Sequence, residues 1–438
     1  MSLTKASFSM ITGAYFNVLD YGAKGDGTTD DTVAIQAAIE AAQASAKPIY
    51  IPAGNYLVTD TLTVYNGTQI TGDTNFSYGA GYGRPVYATT ITFSPTSSKD
   101  LFNYAWKGSG PGKIFHTSIE NLYMTGNANA NNGLKLNSVI YAKFANLTFE
   151  SFSVGVYCNA TLNNRYENIF ITGATYVGVH YAGNAETTDT WEQCTFFGCP
   201  VGVRFDAVSV AVRFNSCLWE QITYYGIDIS SRSQSIMVSN AYCEDVPYGS
   251  SPATDGCMFR IGKTTGDTVA DVQNHLIVIG GDFNGRNAGI AGAGLFNVGV
   301  CWGIYAGGFV ANRWPYIIAT DPTLTNPNSI VLGGYQGIGW SNNIDNLTKV
   351  CGFFANGVLN TGAFNESANF FNVSVNSLTS AAGFYNTSAD VAWLAGVGSP
   401  EGAVVAPIGS LWSRTDGGAG TSLYVKQSGT GNTGWVAK

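Results

Sequence analysis

The sequence predicts an all-β chain wound as a right-handed parallel β-helix, with a short N-terminal capping helix and a smaller β-rich C-terminal region. The first observation behind this is a repeat between Glu120 and Gly285. Its copies read NLYM from Asn121, NLTF from Asn146, NIFI from Asn168, QCTF from Gln193, SCLW from Ser216, NAYC from Asn240 and GGDF from Gly280. The first six begin 25, 22, 25, 23 and 24 residues apart, and only the last step, 40, leaves room for an inserted loop. Periods of this size mark solenoids, in which each repeat stacks on the one before.

The second observation is phase. Each copy alternates inward and outward positions, as a half-buried strand does. Leu122, Leu147, Ile169, Cys194, Cys217 and Ala241 point inward, followed two residues later by Met124, Phe149, Ile171, Phe196, Trp219 and Cys243. A second strand per period begins at Gly133, Gly155, Gly178, Gly202 and Gly226, as GLKL, GVYC, GVHY, GVRF and GIDI. Such a period is too short for a strand, a helix and another strand, and no helical apolar periodicity lies between the copies. The asparagines heading several copies suit a left-handed backbone, and stacking would make them a ladder.

The third observation is composition. Of 438 residues, 45% are hydrophobic and only 11% charged, with 54 glycines; ordinary soluble domains carry about 25% charged residues. Asn, Ser and Thr take their place on the surface.

In chain order, residues 1–14 read as an arm or linker and 15–357 as the β-helix. Ile35, Ala38, Ile39 and Ala42 fall on one helical face, with Asp30 and Asp31 placed to cap it, so a short helix is expected to cover the first coil's exposed edges. The acidic loop Asp26, Asp30 and Asp31 reads as a turn and cap. IYIPAGNYLV from Ile49 and the TLTV and TQIT segments supply the first coils, and Gly72 to Tyr87 is a Gly/Tyr-rich excursion. After Gly285 the rungs loosen, and residues 358–438 read as a β-rich region for trimer assembly or glycan binding.

Net charge is −8 and no Lys/Arg cluster occurs, which argues against nucleic acid. There is no apolar run of membrane-spanning length, and MSLTKASFSM lacks a signal peptide's apolar core, so synthesis in a cytoplasm without membrane insertion is expected. Of the eight cysteines, Cys158, Cys194, Cys217 and Cys243 sit at inward positions and read as reduced core residues. No metal or cofactor is expected.

The opening SFSMITGAYFNVLDYGAKGDGTTDDTVAIQAAI resembles the start of the pectate-lyase-like β-helix domain found in bacteriophage tailspike and tail-fibre proteins. The ending APIGSLWSRTDGGAGTSLYVKQSGTGNTGWVAK, from Ala406, is similar to a short terminal module of phage appendages. The resemblance implies a homotrimer projecting from a virion, attached to a phage tail or adaptor protein, that binds and often cleaves a bacterial surface polysaccharide. The short arm of residues 1–14 is not expected to serve as the long head-binding domain that many such proteins carry. Neither the calcium-binding Asp cluster of pectate lyases nor the Asn-Thr-Asp, Gly-His-Gly and Arg-Ile-Lys motifs of polygalacturonases is present, so neither activity carries over.

Phase also selects candidate chemistry. The outward pairs are Thr148 and Glu150, Phe170 and Thr172, Thr195 and Phe197, Leu218 and Glu220, Tyr242 and Glu244, then Asp282 and Asn284. Three successive coils therefore present Glu220, Glu244 and Asp282 on one face. Glycoside hydrolysis needs a protonated and an ionised carboxyl group, and crowded like charges raise one pKa. Glu220 with Asp282, assisted by Glu244, is the expected catalytic set. Tyr242, Phe197, Asp245, Arg286 and Trp302 are expected to bind sugar, with Trp314, Tyr248 and His275 as further candidates. Glu120, Glu167 and Glu192 read as surface, with Glu192 kept as an outside candidate.

The other strand carries an outward column of Lys135, Tyr157, His180, Arg204, Asp228 and Met258. Eliminating a uronate needs a base and a cation to neutralise its carboxylate, roles open to His180, Arg204 and Tyr157. Hydrolysis is the leading expectation; a non-catalytic receptor binder and a uronate lyase are its rivals.

Overall fold

A computed structural model gives the structure. It describes residues 15–438 apart from 75, 79–84, 109–111, 184–185, 231–232, 249–255, 263–274, 286–293, 299–302, 313, 315, 321–329, 339–352, 356–383 and 387–390. The chain divides into two compact units, Met1–Ala368 and Asn369–Lys438.

The first unit is a right-handed parallel β-helix. Most of its described strands lie in a 21-stranded sheet and a ten-stranded sheet of continuous parallel ladders, beside a three-stranded sheet and two two-stranded ones. On the larger sheet Leu122 pairs with Leu147 and Leu147 with Ile169, and further along Phe196, Trp219, Cys243 and Phe283 follow one another coil by coil. These columns are the inward positions, and all are buried. Within the core Tyr166 stacks on Trp191 at 3.8 Å and 3°.

The head residue of each copy bends the strand. Asn121, Asn146, Asn168, Gln193, Ser216 and Asn240 have φ of 64°, 55°, 51°, 53°, 52° and 50°. Left-handed backbone is costly for most side chains and mild for asparagine. Asn146 donates to Asn121 Oδ1 and Asn168 to Asn146 Oδ1, each at 2.9 Å, which is the ladder the repeats predict.

On the ten-stranded sheet the column of glycines is a packing requirement. A Cβ on Gly178 or Gly202 would lie 2.6 Å from the carbonyl oxygen of the next glycine in the column. Only hydrogen fits between coils there.

The helix runs Thr32–Ser45 and buries Ile35, Ala38, Ile39 and Ala42, as its periodicity requires. Gln36 Oε1 accepts from Thr63 N at 2.8 Å, satisfying a backbone donor on the edge strand Leu62–Val64 of the ten-stranded sheet. Capping differs from the sequence reading. Asp30 accepts from Thr32 N at 3.0 Å, while Asp31 turns back to Lys24 N and Gly25 N at 2.6 and 3.1 Å. Asp26 accepts from Thr28 N and Thr29 N, so the acidic loop is consumed by its own turns.

The six described cysteines are buried, and no disulfide joins any of them. No helix among the described residues is long and apolar enough to cross a membrane. In the second unit the described strands Phe384–Asn386, Val391–Gly396, Leu411–Arg414, Leu423–Lys426 and Trp435–Ala437 form one sheet over a core of Ala392, Leu394, Ala406, Tyr424 and Trp435.

Candidate functional site

Two clusters of reactive side chains stand on the outside of the β-helix, one on each sheet. The first follows Leu218–Glu220, Tyr242–Val246 and Asp282–Gly285. Parallel pairing sets Glu220 beside Glu244 and Glu244 beside Asn284. Asp282 pairs with Tyr242, two residues along the strand from the glutamate column. This is the register of the aligned copies SCLW, NAYC and GGDF, and it sets Asp282 in the Tyr242 column rather than directly beyond Glu220. From strand spacing and rise, their backbones lie about 12 Å apart, whereas Glu220 and Glu244 are separated by about 4.8 Å.

All three carboxylates are half-buried. Burial first, then the charges of Glu244 and Asp245, push the Glu220 carboxyl above the usual range. Tyr242 is 39% exposed and donates to Glu244 Oε2 at 2.9 Å. Burial, that hydrogen bond and the nearby carboxylates push its phenol up to about 12. Asn284 donates to Asp282 Oδ1 at 3.1 Å. Asp245 has φ 55° and sits where the ladder to the next coil shifts. Chemically, the wall offers one carboxyl biased toward its protonated form beside a second that is held by a phenol.

Phe197 pairs with Glu220 one coil on and stacks on Phe170 at 6.5 Å and 26°. Trp314 is buried and donates from its indole to Phe283 O, so it belongs to the core. His275 and Tyr248 are half-buried. Arg286 and Trp302 lie outside the described residues. Glu120, Glu167 and Glu192 join Lys143 and Arg165 in a surface ladder of ion pairs.

The second cluster lies on the ten-stranded sheet. Tyr157, His180, Arg204, Asp228 and Arg260 pair in succession. Met258, expected at the end of this column, is buried, and Arg260 takes that place. Asp228 is 1% exposed although it stands on an outer face, because Arg204 and Arg260 close over it at 3.1 and 3.2 Å. Burial pushes its carboxyl up, against the pull of the two guanidinium groups. Arg204 also donates to the Tyr176 hydroxyl at 2.6 Å and lies over that ring, and Arg260 lies over Tyr225. His180 Nε2 is 2.8 Å from Asp206 Oδ2, with Tyr157 and Tyr176 edge-on to the imidazole.

Tyr176, Asp206 and Arg260 escaped the sequence reading. Tyr176 sits in a turn, where side-chain phase carries no information. Asp206 reaches back one coil to His180, and Arg260 lies beyond the last aligned copy of the second strand, so the repeats assign it no register. Among the described residues no group of three or more His, Cys, Asp and Glu is arranged to hold a metal ion.

A sequence model for the family described as rhamnogalacturonase A/epimerase, pectate lyase-like, matches residues 15–240, just over half of the chain. Alginate lyase 7 of Azotobacter vinelandii is 47% identical over 72 residues, which are 16% of this chain and 8% of that relative. The chain thus spans a small fraction of that relative's length. Among solved structures, the surface adhesin PfbA of Streptococcus pneumoniae superimposes with a TM-score of 0.54 at 13% identity, covering 78% of this chain and 99% of PfbA. A tailspike protein double mutant of E. coli bacteriophage HK620 does so with a TM-score of 0.53 at 13% identity, covering 78% of this chain and 70% of the tailspike. At such identities the likeness concerns the fold.

Proposed function

Since the chain belongs to the rhamnogalacturonase A/epimerase, pectate-lyase-like family, we propose that it is a polysaccharide depolymerase that hydrolyses a bacterial surface glycan at the Glu220 wall. The observation that carries this reading is the in-register pair of Glu220 and Glu244, with the Glu220 carboxyl raised on a chain otherwise poor in charge. Glu220 is the general acid and protonates the leaving oxygen. Glu244, oriented by Tyr242, is the partner carboxylate. Backbones about 4.8 Å apart fit the roughly 5 Å carboxyl separation of retaining glycosidases. Asp282 acts through Tyr242 and the local field rather than as the second catalytic carboxylate. Phe197 and Tyr242 stack on sugar rings, and Asp245 borders the same stretch.

The proposal extends to a virion appendage: a homotrimeric phage tailspike joined to a tail or adaptor protein, with the region 358–438 serving assembly. The tailspike-like fold and the terminal motif support it. Light scattering should give three times 46.3 kDa.

Incubation with capsules and O-antigens from a strain panel tests the chemistry. Hydrolysis yields reducing ends without new ultraviolet absorbance, and Glu220→Gln should lower the rate by roughly 10²- to 10⁴-fold. Full activity in a folded Glu220→Gln protein would sink the assignment. The second reading is uronate elimination at His180, Arg204 and Tyr157, favoured by the Asp206 clamp on His180 and the Arg204–Tyr176 contact. It predicts an absorbing unsaturated product. A pure binder yields neither signal.

A further inference from the structure

The wall that bears Glu220 is open on some coils and covered on others. In the outward column Tyr123, Thr148, Phe170, Thr195, Leu218 and Tyr242 follow one another in register. Tyr123, Thr148 and Phe170 are 8%, 0% and 8% exposed, whereas Thr195 and Leu218 are half-buried and Tyr242 is open. The cover is the antiparallel hairpin of Phe76–Tyr78 with Pro85–Tyr87. Thr148 donates its hydroxyl proton to Pro85 O at 2.7 Å, and Asn168 Nδ2 donates to the Tyr87 hydroxyl at 3.4 Å. Tyr87 is itself buried.

Across the strands the open wall is narrow, since Leu218–Glu220 offers only its two end residues as outward positions. Along the axis it continues coil after coil. An extended glycan therefore makes most contact by lying parallel to the axis, over Phe197 and into the Glu220–Glu244 pair. From the covered Phe170 coil to the middle of that pair is two and a half strand spacings, about 12 Å. A six-membered sugar ring with its bridging oxygen spans about 5 Å, close to one strand spacing, so about two fit in that length.

We propose that this hairpin closes one end of the binding groove and makes cleavage terminal, releasing fragments of about two main-chain sugars from a chain end lodged against it. The inference rests on the hydrolysis reading above. Each cut consumes one water: Glu220 protonates the leaving oxygen as the glycosidic bond breaks and Glu244 bonds the anomeric carbon, then water displaces Glu244, its hydroxyl joining that carbon and its proton returning to Glu220.

The test uses the full chain and the polysaccharide that responds in the strain panel. Reducing ends, polymer mass by light scattering and product size by mass spectrometry are followed together. Terminal action gives one narrow class of short product from the earliest times, with polymer mass falling only in proportion to the ends released. A steep early loss of mass with a ladder of long fragments overturns the inference while leaving hydrolysis intact. Absence of new reducing ends on every polymer overturns both. Replacing residues 77–86 by two glycines should make longer, mixed fragments the main product. An unchanged product pattern in that variant, once shown to be folded, also overturns the inference; the wild-type time course decides if it does not fold.

Discussion

Glu220→Gln should make the protein more stable at neutral pH while disabling it. Glu220 and Glu244 are side by side on neighbouring strands, so their charges are separated by about 5 Å. Coulomb's law gives nearly 1 kcal/mol for that separation at water's dielectric and about 3 kcal/mol at an effective constant of 20. Both groups are half-buried and screened by salt, so about 1 kcal/mol is the working figure. Folding raises the pKa of Glu220 through burial, Glu244 and Asp245. The folded state therefore holds a proton over a range where the unfolded chain has released it. That contribution is complete below the unfolded value, about 4.3, and is lost as pH rises through the folded value. Glutamine has no such proton to lose. Thermal melts of both proteins should coincide near pH 4 and separate toward neutrality by roughly one to two degrees in favour of the variant. A gap that is the same at both ends of the range, or a variant less stable at neutral pH, would refute the repulsion that makes Glu220 an acid.

Three further outcomes follow from the packing. Asp228→Asn leaves Arg204 and Arg260 facing each other without their shared anion, and urea unfolding should show a loss of about 3 kcal/mol, the lower part of the range for breaking a buried pair. Asn146→Ala removes one donated and one accepted ladder bond and places alanine at φ 55°; about 3 kcal/mol should be lost, and Asn146→Gly should recover about 1 kcal/mol of it. Gly202→Ala would drive a Cβ to 2.6 Å from both the Gly226 oxygen and Trp219 Cδ1. A loss of about 2 kcal/mol is expected in chemical denaturation, and a neutral effect would mean the coils can slide apart there.

The glutamate wall shows how far pattern alone reaches. Alternation identified Glu220, Glu244 and Asp282 as facing outward together, because side-chain direction in a strand depends only on parity along the chain. Alignment of the copies gave the register as well, with Glu220 beside Glu244 and Asp282 beside Tyr242. It does not say how the side chains then meet, as the Tyr242 hydroxyl meets Glu244. Thr148 and Phe170 show a second limit: they face outward as predicted, yet a hairpin from far earlier in the sequence covers Thr148.

By itself the sequence determined the β-helix, its inward columns, the asparagine ladder, the capping helix and the acidic face. Each is written in short-range order, a parity or a period repeated copy after copy. Only the tertiary structure decided the hydrogen bond of Tyr242 to Glu244, the closing of Arg204 and Arg260 over Asp228, and the approach of Asp206 to His180. The reason is physical: side chains meet only when one coil has settled on another, and burial of a charge depends on side chains that arrive from different coils.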